Sequence, residues 1–161
     1  MRTLTTDVVI IGAGPVGIFQ VFELGLQGLK AVVIDTLKEI GGQCCELYPE
    51  KPIYDIPALP NATAKQVIDN LWEQAQAFDP TYILGERVDD IEKHSNISFS
   101  VTTNKHTTIH AKAVIIAGGN GAFSPVKLKV PQIDEFENKQ LFYRVTNLSQ
   151  YKNKNLFAYE L

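Results

Sequence analysis

A chain of 161 residues, 45% hydrophobic and 20% charged, is long enough to bury the core of about one domain. A net charge of −3 and a pI near 5.6, with no basic stripe, argue against a nucleic-acid partner. No apolar run approaches the roughly 20 residues that span a bilayer, residues 1–6 lead straight into an apolar strand, and the two cysteines, Cys44 and Cys45, are neighbours. A soluble, cytoplasmic protein with no membrane partner and no disulfide scaffold is therefore expected.

Residues 8–11, Val-Val-Ile-Ile, form an unbroken β-branched run, too short for a helix and suited to a parallel strand buried on both faces. Gly12, Gly14 and Gly17 follow it with Gly-x-Gly-x-x-Gly spacing. In that pattern the first glycine permits a tight turn, the second lets backbone approach a pyrophosphate, and the third lets the helix pack closely on the sheet. Pro15 suits the first helical turn, where a missing N–H costs nothing. The helix start then offers unbonded N–H groups and a partial positive charge to an anion. Ile18, Val21, Phe22 and Leu26 put one helical face on the sheet, Gly25 loosens the helix end and Gly28 stops it. A second strand over residues 31–34 ends in Asp35, about 20 residues past the glycines, where an acid accepts hydrogen bonds from a ribose. A carboxylate at Asp35 repels a 2′-phosphate, so the pattern favours FAD or NAD over NADP. Taken without this strand, helix and acid context, the glycines would suit a tight turn in any other doubly wound fold.

From residue 36 to 63 four prolines, Pro49, Pro52, Pro57 and Pro60, punctuate a stretch with no helical or strand period, as expected for a long ordered loop. A helix follows, capped near Asn61 or Thr63, with Val67, Ile68, Leu71, Trp72, Ala75 and Phe78 on one face, and Asp79-Pro80 ends it. Residues 82–84 are expected as a third parallel strand. Residues 88–91, 97–102 and 107–111 are expected as an antiparallel meander, and residues 113–117 as a further parallel strand that breaks at Gly118-Gly119-Asn120-Gly121. His94, His106 and His110 have no cysteine or carboxylate cluster around them; solvated turn and strand positions are expected, and no metal site. Residues 141–145 suggest a last strand, and residues 151–159 turn from charged to apolar.

Two further stretches carry chemistry. In Gly41-Gly42-Gln43-Cys44-Cys45-Glu46-Leu47-Tyr48-Pro49, paired glycines let backbone pass close to a ligand, while Gln43 and Tyr48 bring an amide and an aromatic face. The competing reading is a surface turn with a packed tyrosine. Adjacent cysteines rarely close a disulfide without strain, so Cys44 and Cys45 are expected as packed thiols, with a catalytic disulfide second. The strand end at residues 117–123 opens into glycines and, in a doubly wound sheet, faces the same crevice as the first glycine turn.

Together these stretches resemble the FAD domain of two-dinucleotide-fold flavoproteins, and within them the thioredoxin-reductase-like ferredoxin–NADP reductases. The selective match is Gly-Gly-Gln-Cys followed by Leu-Tyr-Pro-Glu-Lys-Pro-Ile-Tyr-Asp-Ile-Pro-Ala, within residues 41–58. The resemblance implies a single α/β, Rossmann-like three-layer FAD-binding domain over residues 1–161: a parallel sheet, helices and an antiparallel β-meander. It implies that Gly12, Gly14 and Gly17 hold the FAD pyrophosphate with Val16 in the same turn, and that Asp35 takes the adenosine ribose. Gln43 and Tyr48 would lie against the flavin half, Tyr48 by stacking, Val88 would meet the adenine side through its backbone, and Phe123 would follow the Ala-Gly-Gly strand end into the site. The implied reaction is electron transfer between NADPH, FAD and ferredoxin or a similar iron–sulfur protein, in a homodimer, with no side chain acting as acid or base. The resemblance also implies no redox disulfide, since Pro49 stands where the disulfide reductases carry their second cysteine.

Members of that family are much longer, with a second glycine fingerprint for NADPH and a final segment that completes the FAD domain. This sequence leaves the family pattern near residue 156, so it is expected to be the N-terminal FAD-domain portion, lacking both. Such a portion alone is expected to bind FAD weakly or not at all, to oxidise no NADPH, and to associate through its open face. The alternatives are a piece of a thioredoxin-reductase-like disulfide oxidoreductase and a non-catalytic FAD- or NAD-binding module.

Overall fold

The computed structural model describes residues 2–122, 127–143 and 151–158. They fall into two compact units, Met1–Ala122 and Phe123–Leu161.

In the first unit the order is β1 (Arg2–Ile11), α1 (Pro15–Leu26), β2 (Ala31–Asp35), α2 (Gln43–Leu47), β3 (Pro52–Ile53), β4 (Ala62–Thr63), α3 (Ala64–Gln76), β5 (Thr81–Leu84), β6 (Val88–Ser95), β7 (Ser98–Thr103) and β8 (Thr107–Ile116). Six strands make one sheet in the order β5-β2-β1-β8-β7-β6. The first four are parallel to one another, and β8, β7 and β6 run antiparallel, as the sequence suggests. β1 and β8 are longer than expected. β1 starts at Arg2, and the two stretches expected over 107–111 and 113–117 are one continuous strand, Thr107–Ile116, that stays beside β1 from Arg2↔Thr107 to Ile11↔Ile116. The apparent break at Lys112 is only an outward-facing residue, whose ammonium reaches Asp7 Oδ1 at 2.8 Å. That contact and the N–H of Lys30, 3.0 Å from the other oxygen, hold the Asp7 carboxyl below its ordinary value.

The ten-residue length of β1 and β8 lets one sheet make two layers. On one face Val8, Ile10, Ala31 and Val33 pack with Ile18 and Val21 of α1 and Ile68 and Ala75 of α3. On the other, Val9, Val32, Ile34 and Ile83 share a cluster with Val101, Ile109 and Ala111, so the meander curls back over the parallel strands. The result is helices, parallel sheet, meander: the three-layer arrangement expected.

α3 begins at Thr63, one of the two caps expected. Thr63 Oγ1 accepts from the Gln66 N–H at 3.2 Å, and Gln66 Oε1 accepts from the Thr63 N–H at 2.8 Å, a reciprocal capping box. Gly25 does more than loosen a helix end: a Cβ there would run into the Phe78 ring, which also meets Phe22 edge-on at 5.7 Å. Trp72 meets Tyr82 edge-on at 5.0 Å. The Tyr82 hydroxyl is buried with no hydrogen-bond partner among the described residues, and burial pushes its pKa up to about 12.

The second unit is small. Its 3₁₀ turn, Ile133–Phe136, lies among contacts of Lys127 with Glu137 and of the Leu128 N–H with Tyr143 Oη at 3.2 Å. Leu141 pairs with Glu137 in a single bridge where a strand over 141–145 was expected, and residues 144 and 145 lie outside the described residues. Tyr151 meets Phe142 edge-on at 5.5 Å.

Candidate dinucleotide-binding site

The carboxyl ends of β1, β2 and β8 converge on the glycine turn. Gly12 has φ +109°, its N–H reaches the Ile34 carbonyl at 2.8 Å, and a Cβ on it would collide with the Ala117 carbonyl at the end of β8. A Cβ on Gly17 would strike the Gly12 carbonyl. Both glycines are demanded by the backbone itself. Gly14 is different: its φ of −73° and ψ of −177° suit any residue, and a Cβ would meet nothing within 4 Å. Nothing in the fold requires a glycine there, so its bareness points outward, to something that approaches the backbone. The first helical bond of α1 runs from the Ile18 N–H to the Gly14 carbonyl at 3.0 Å, so the N–H groups of Val16 and Gly17 have no acceptor within the helix. Val16 itself is 63% exposed at this rim.

Asp35 braces the same turn. Its Oδ2 accepts from the Ala13 N–H at 2.6 Å, and its Oδ1 accepts from the Leu37 N–H at 2.8 Å and faces the Thr36 hydroxyl at 3.4 Å. A carboxylate has about four acceptor positions, so these bonds leave capacity for a ribose hydroxyl. An acid at this place locks the turn that carries Gly14.

The stretch read as an irregular loop contains a short helix, α2, and a two-residue strand pair, Pro52↔Thr63 and Ile53↔Ala62. Tertiary anchors produce them. The Gly41 N–H reaches the Ala13 carbonyl at 2.8 Å, and a Cβ on Gly42 would lie 3.1 Å from the Gly14 Cα. Gln43 therefore starts α2 beside the glycine turn, and Tyr48 ends it. Tyr48 is half-buried, and the Lys51 ammonium stands 5.3 Å from its ring centroid. The Pro49 and Lys51 carbonyls accept from Lys65 and Ala64, which fixes the Tyr48 turn to the start of α3.

Cys44 and Cys45 are free, half-buried thiols packed against the helical core. Burial pushes both pKa values up, and for Cys45 the neighbouring Cys44 adds to the rise. Neither is poised as a thiolate. Beyond Asp35, the Glu86 N–H bonds the Asp35 carbonyl at 3.0 Å and the Gly85 N–H bonds the Leu37 carbonyl at 2.8 Å, which sets Val88 at the start of β6. A brace not foreseen in the sequence holds this corner. Buried Thr103 donates to Glu86 Oε2 at 2.5 Å and accepts from the Thr107 N–H at 3.2 Å. Of the nine residues expected at the site, Gly12, Gly14, Val16, Gly17, Asp35, Gln43, Tyr48 and Val88 stand on elements tied to this crevice. Phe123 lies outside the described residues.

A parallel sheet whose first turn bears this glycine spacing, closed by an acid and covered on its second face by a meander, is the architecture of a dinucleotide-binding oxidoreductase. The chain belongs to the pyridine nucleotide-disulphide oxidoreductase family, whose model matches residues 6–156. Among curated relatives, it is 70% identical over 156 residues to the ferredoxin–NADP reductase of Colwellia psychrerythraea, covering 97% of this chain and 45% of that protein. It is 54% identical over 156 residues to the ferredoxin–NADP reductase of Ehrlichia ruminantium, covering 97% of this chain and 46% of that one. The chain thus spans less than half the length of these relatives. Among solved structures, thioredoxin reductase from Streptococcus pyogenes superposes with a TM-score of 0.63 at 23% identity over 84% of this chain and 41% of that one, a likeness of fold alone.

Proposed function

We propose that this chain, over residues 1–161, is the FAD-holding portion of a ferredoxin–NADP reductase. The observation that carries the reading is Gly14, a bare backbone position that the fold does not need, set at the mouth of a helix in a chain 70% identical to such a reductase. The N–H groups around Gly14, Val16 and Gly17 would take the pyrophosphate, with the α1 N-terminus adding its partial positive charge. Asp35 would take the adenosine ribose and Val88, through its backbone, the adenine. Gln43 and Tyr48 would lie along the flavin, Tyr48 by stacking, and Phe123 would belong to the same site. Bound FAD supplies the conversion between the two-electron chemistry of a nicotinamide and the one-electron chemistry of an iron–sulfur protein. The chain's own contribution is seating, orientation and exclusion of water; it donates and accepts no proton at a named side chain. NADPH as electron donor, ferredoxin or a similar iron–sulfur protein as acceptor, a homodimeric assembly and a cytoplasmic setting complete the proposal. Among the described residues no helix is long and apolar enough to cross a membrane. The raised thiol pKa values of Cys44 and Cys45 speak against a dithiol relay.

The test is a titration of the 161-residue chain with FAD, following flavin fluorescence, with NAD and NADP as competitors. Weak but saturable FAD binding that NADP fails to displace is expected, since this portion lacks the segment that would close over the flavin. A chain that takes up NADP in preference to FAD would overturn the reading, because Asp35 would then not be acting as a carboxylate facing a ribose.

A further inference from the structure

The outer face of the meander carries a cluster unrelated to the dinucleotide crevice. His94 on β6 and His110 on β8 both aim a ring nitrogen at one atom, the hydroxyl oxygen of Ser100 on the strand between them. Nε2 of His94 lies 2.7 Å from Ser100 Oγ, and Nδ1 of His110 lies 3.0 Å from it. Register explains the convergence. Ser100 pairs directly with His110 and, on its other side, with Glu92, and a register shift between Lys93 and Ser95 takes His94 out of the regular ladder, where its ring reaches Ser100. The second ring nitrogen of His94, Nδ1, faces Glu92 Oε1 at 3.7 Å. The side chains are open to solvent, 42% exposed for His94 and 68% for Glu92. The nearest lysine along β8, Lys112, is tied to Asp7.

A serine hydroxyl has one proton, so it can donate to only one of the two imidazoles and must accept from the other. The pair of ring nitrogens is thus held at one point with a single small group between them. That is also the arrangement of a two-histidine chelate, with a carboxylate behind one ligand to orient its ring.

We propose that His94 and His110 form a binding site for a divalent transition-metal ion of the nickel, copper and zinc class, with Glu92 as the outer partner of His94. A rotation of the Ser100 side chain clears the space between the rings, and small turns of two exposed imidazoles bring both nitrogens to about 2.0–2.1 Å from the ion. Imidazole nitrogen selects these ions over calcium and magnesium, which take oxygen. Among the described residues no third histidine, cysteine, aspartate or glutamate completes a chelating set, so water fills the remaining positions. A bound ion bridges β6, the edge strand, to β8 across β7, and binds only where the meander is formed.

The experiment is calorimetric titration of the untagged 161-residue chain with Ni²⁺, alongside the imidazole NMR signals and the melting temperature. One equivalent is expected to bind, to shift the His94 and His110 signals and to raise the melting temperature, with Cu²⁺ tighter than Ni²⁺ and Mg²⁺ without effect. His94→Gln and His110→Gln are each expected to lower affinity at least tenfold, and Glu92→Gln about tenfold. His106→Asn, on the neighbouring turn, should change nothing. These side chains are exposed, so metal-free melting temperatures should match the parent. Absence of Ni²⁺ uptake by the parent up to millimolar concentration would overturn the proposal. So would affinity unchanged in the His94→Gln, His110→Gln double variant, or lost instead in Cys44→Ser, Cys45→Ser.

Discussion

Replacing Gly14 by valine separates a ligand's demand on the backbone from the fold's own. The backbone at residue 14 is in an ordinary extended conformation and a Cβ there has no atom within 4 Å, so a β-branched residue enters open space and needs no strained torsion. The expected structural cost is the poorer N-cap alone, about 0.5–1 kcal/mol. For a chain of this size that lowers the melting temperature by about 1–4 °C. The cost to a bound pyrophosphate is much larger. Each charge-assisted hydrogen bond from an N–H is worth about 1.5–3 kcal/mol, and a valine side chain standing over the turn removes at least two. A loss of about 3 kcal/mol or more weakens FAD binding by more than 100-fold. The assay pairs a thermal melt of the flavin-free chain with an FAD titration. Gly17→Ala is the contrasting variant, since its methyl group would strike the Gly12 carbonyl and the fold itself should fail. An FAD affinity within threefold of the parent in a well-folded Gly14→Val would refute the reasoning and leave the open position at residue 14 without a ligand.

Tyr82→Phe should be neutral or stabilising by up to about 1 kcal/mol in a urea melt, because it removes a buried hydroxyl that has no partner. The same substitution tests an alkaline effect. Burial raises the Tyr82 pKa to about 12, so the stability linked to its protonated form is complete below the ordinary tyrosine value of 10.0 and lost as pH rises through about 12; the phenylalanine variant should lack that loss. Thr63→Ala breaks the capping box of α3 and should cost about 1 kcal/mol, read as a drop in melting temperature of about 2–4 °C. The Cys44→Ser, Cys45→Ser double variant should keep FAD affinity within about threefold. The raised thiol pKa values predict that both cysteines of the native chain react with a disulfide reagent at pH 7.5 more slowly than free cysteine does. Rapid labelling of either would show a thiolate that burial does not permit.

The parts of the fold legible in the sequence are those set by local chemistry. Residues 8–11, the glycine spacing and Asp35 announce strand, turn, helix and acid because each obeys a short-range rule, and the same is true of Thr63 with Gln66. What escaped depends on neighbours far away in the chain. Lys112 looks like a break in an apolar run until Asp7 is beside it, and α2 is one turn of helix that Gly41 and Ala13 hold in place. Gly25 is required by Phe78, more than fifty residues later. The histidines show the limit most plainly. His94 and His110 look isolated along the chain, and only the register of three strands brings them to Ser100. At the crevice, Gly12, Gly14 and Gly17 look alike as letters, yet two are dictated by backbone collisions and one by open space.

The pairing of β1 with β8 also sets an order of events as the chain is made. β1 occupies residues 2–11, and its partner on one side, β8, is not complete until residue 116. Until then the central strand has β2 along one edge and nothing along the other, while Val8 to Ile11 present a β-branched, uncharged edge to any other chain. Loop-closure entropy delays a contact spanning more than a hundred residues, so the sheet should close late, after α1 and α3 have already packed. A nascent chain halted near residue 100 is therefore the most adhesive form of this sequence, and its solubility during synthesis rests on how quickly the last strand arrives.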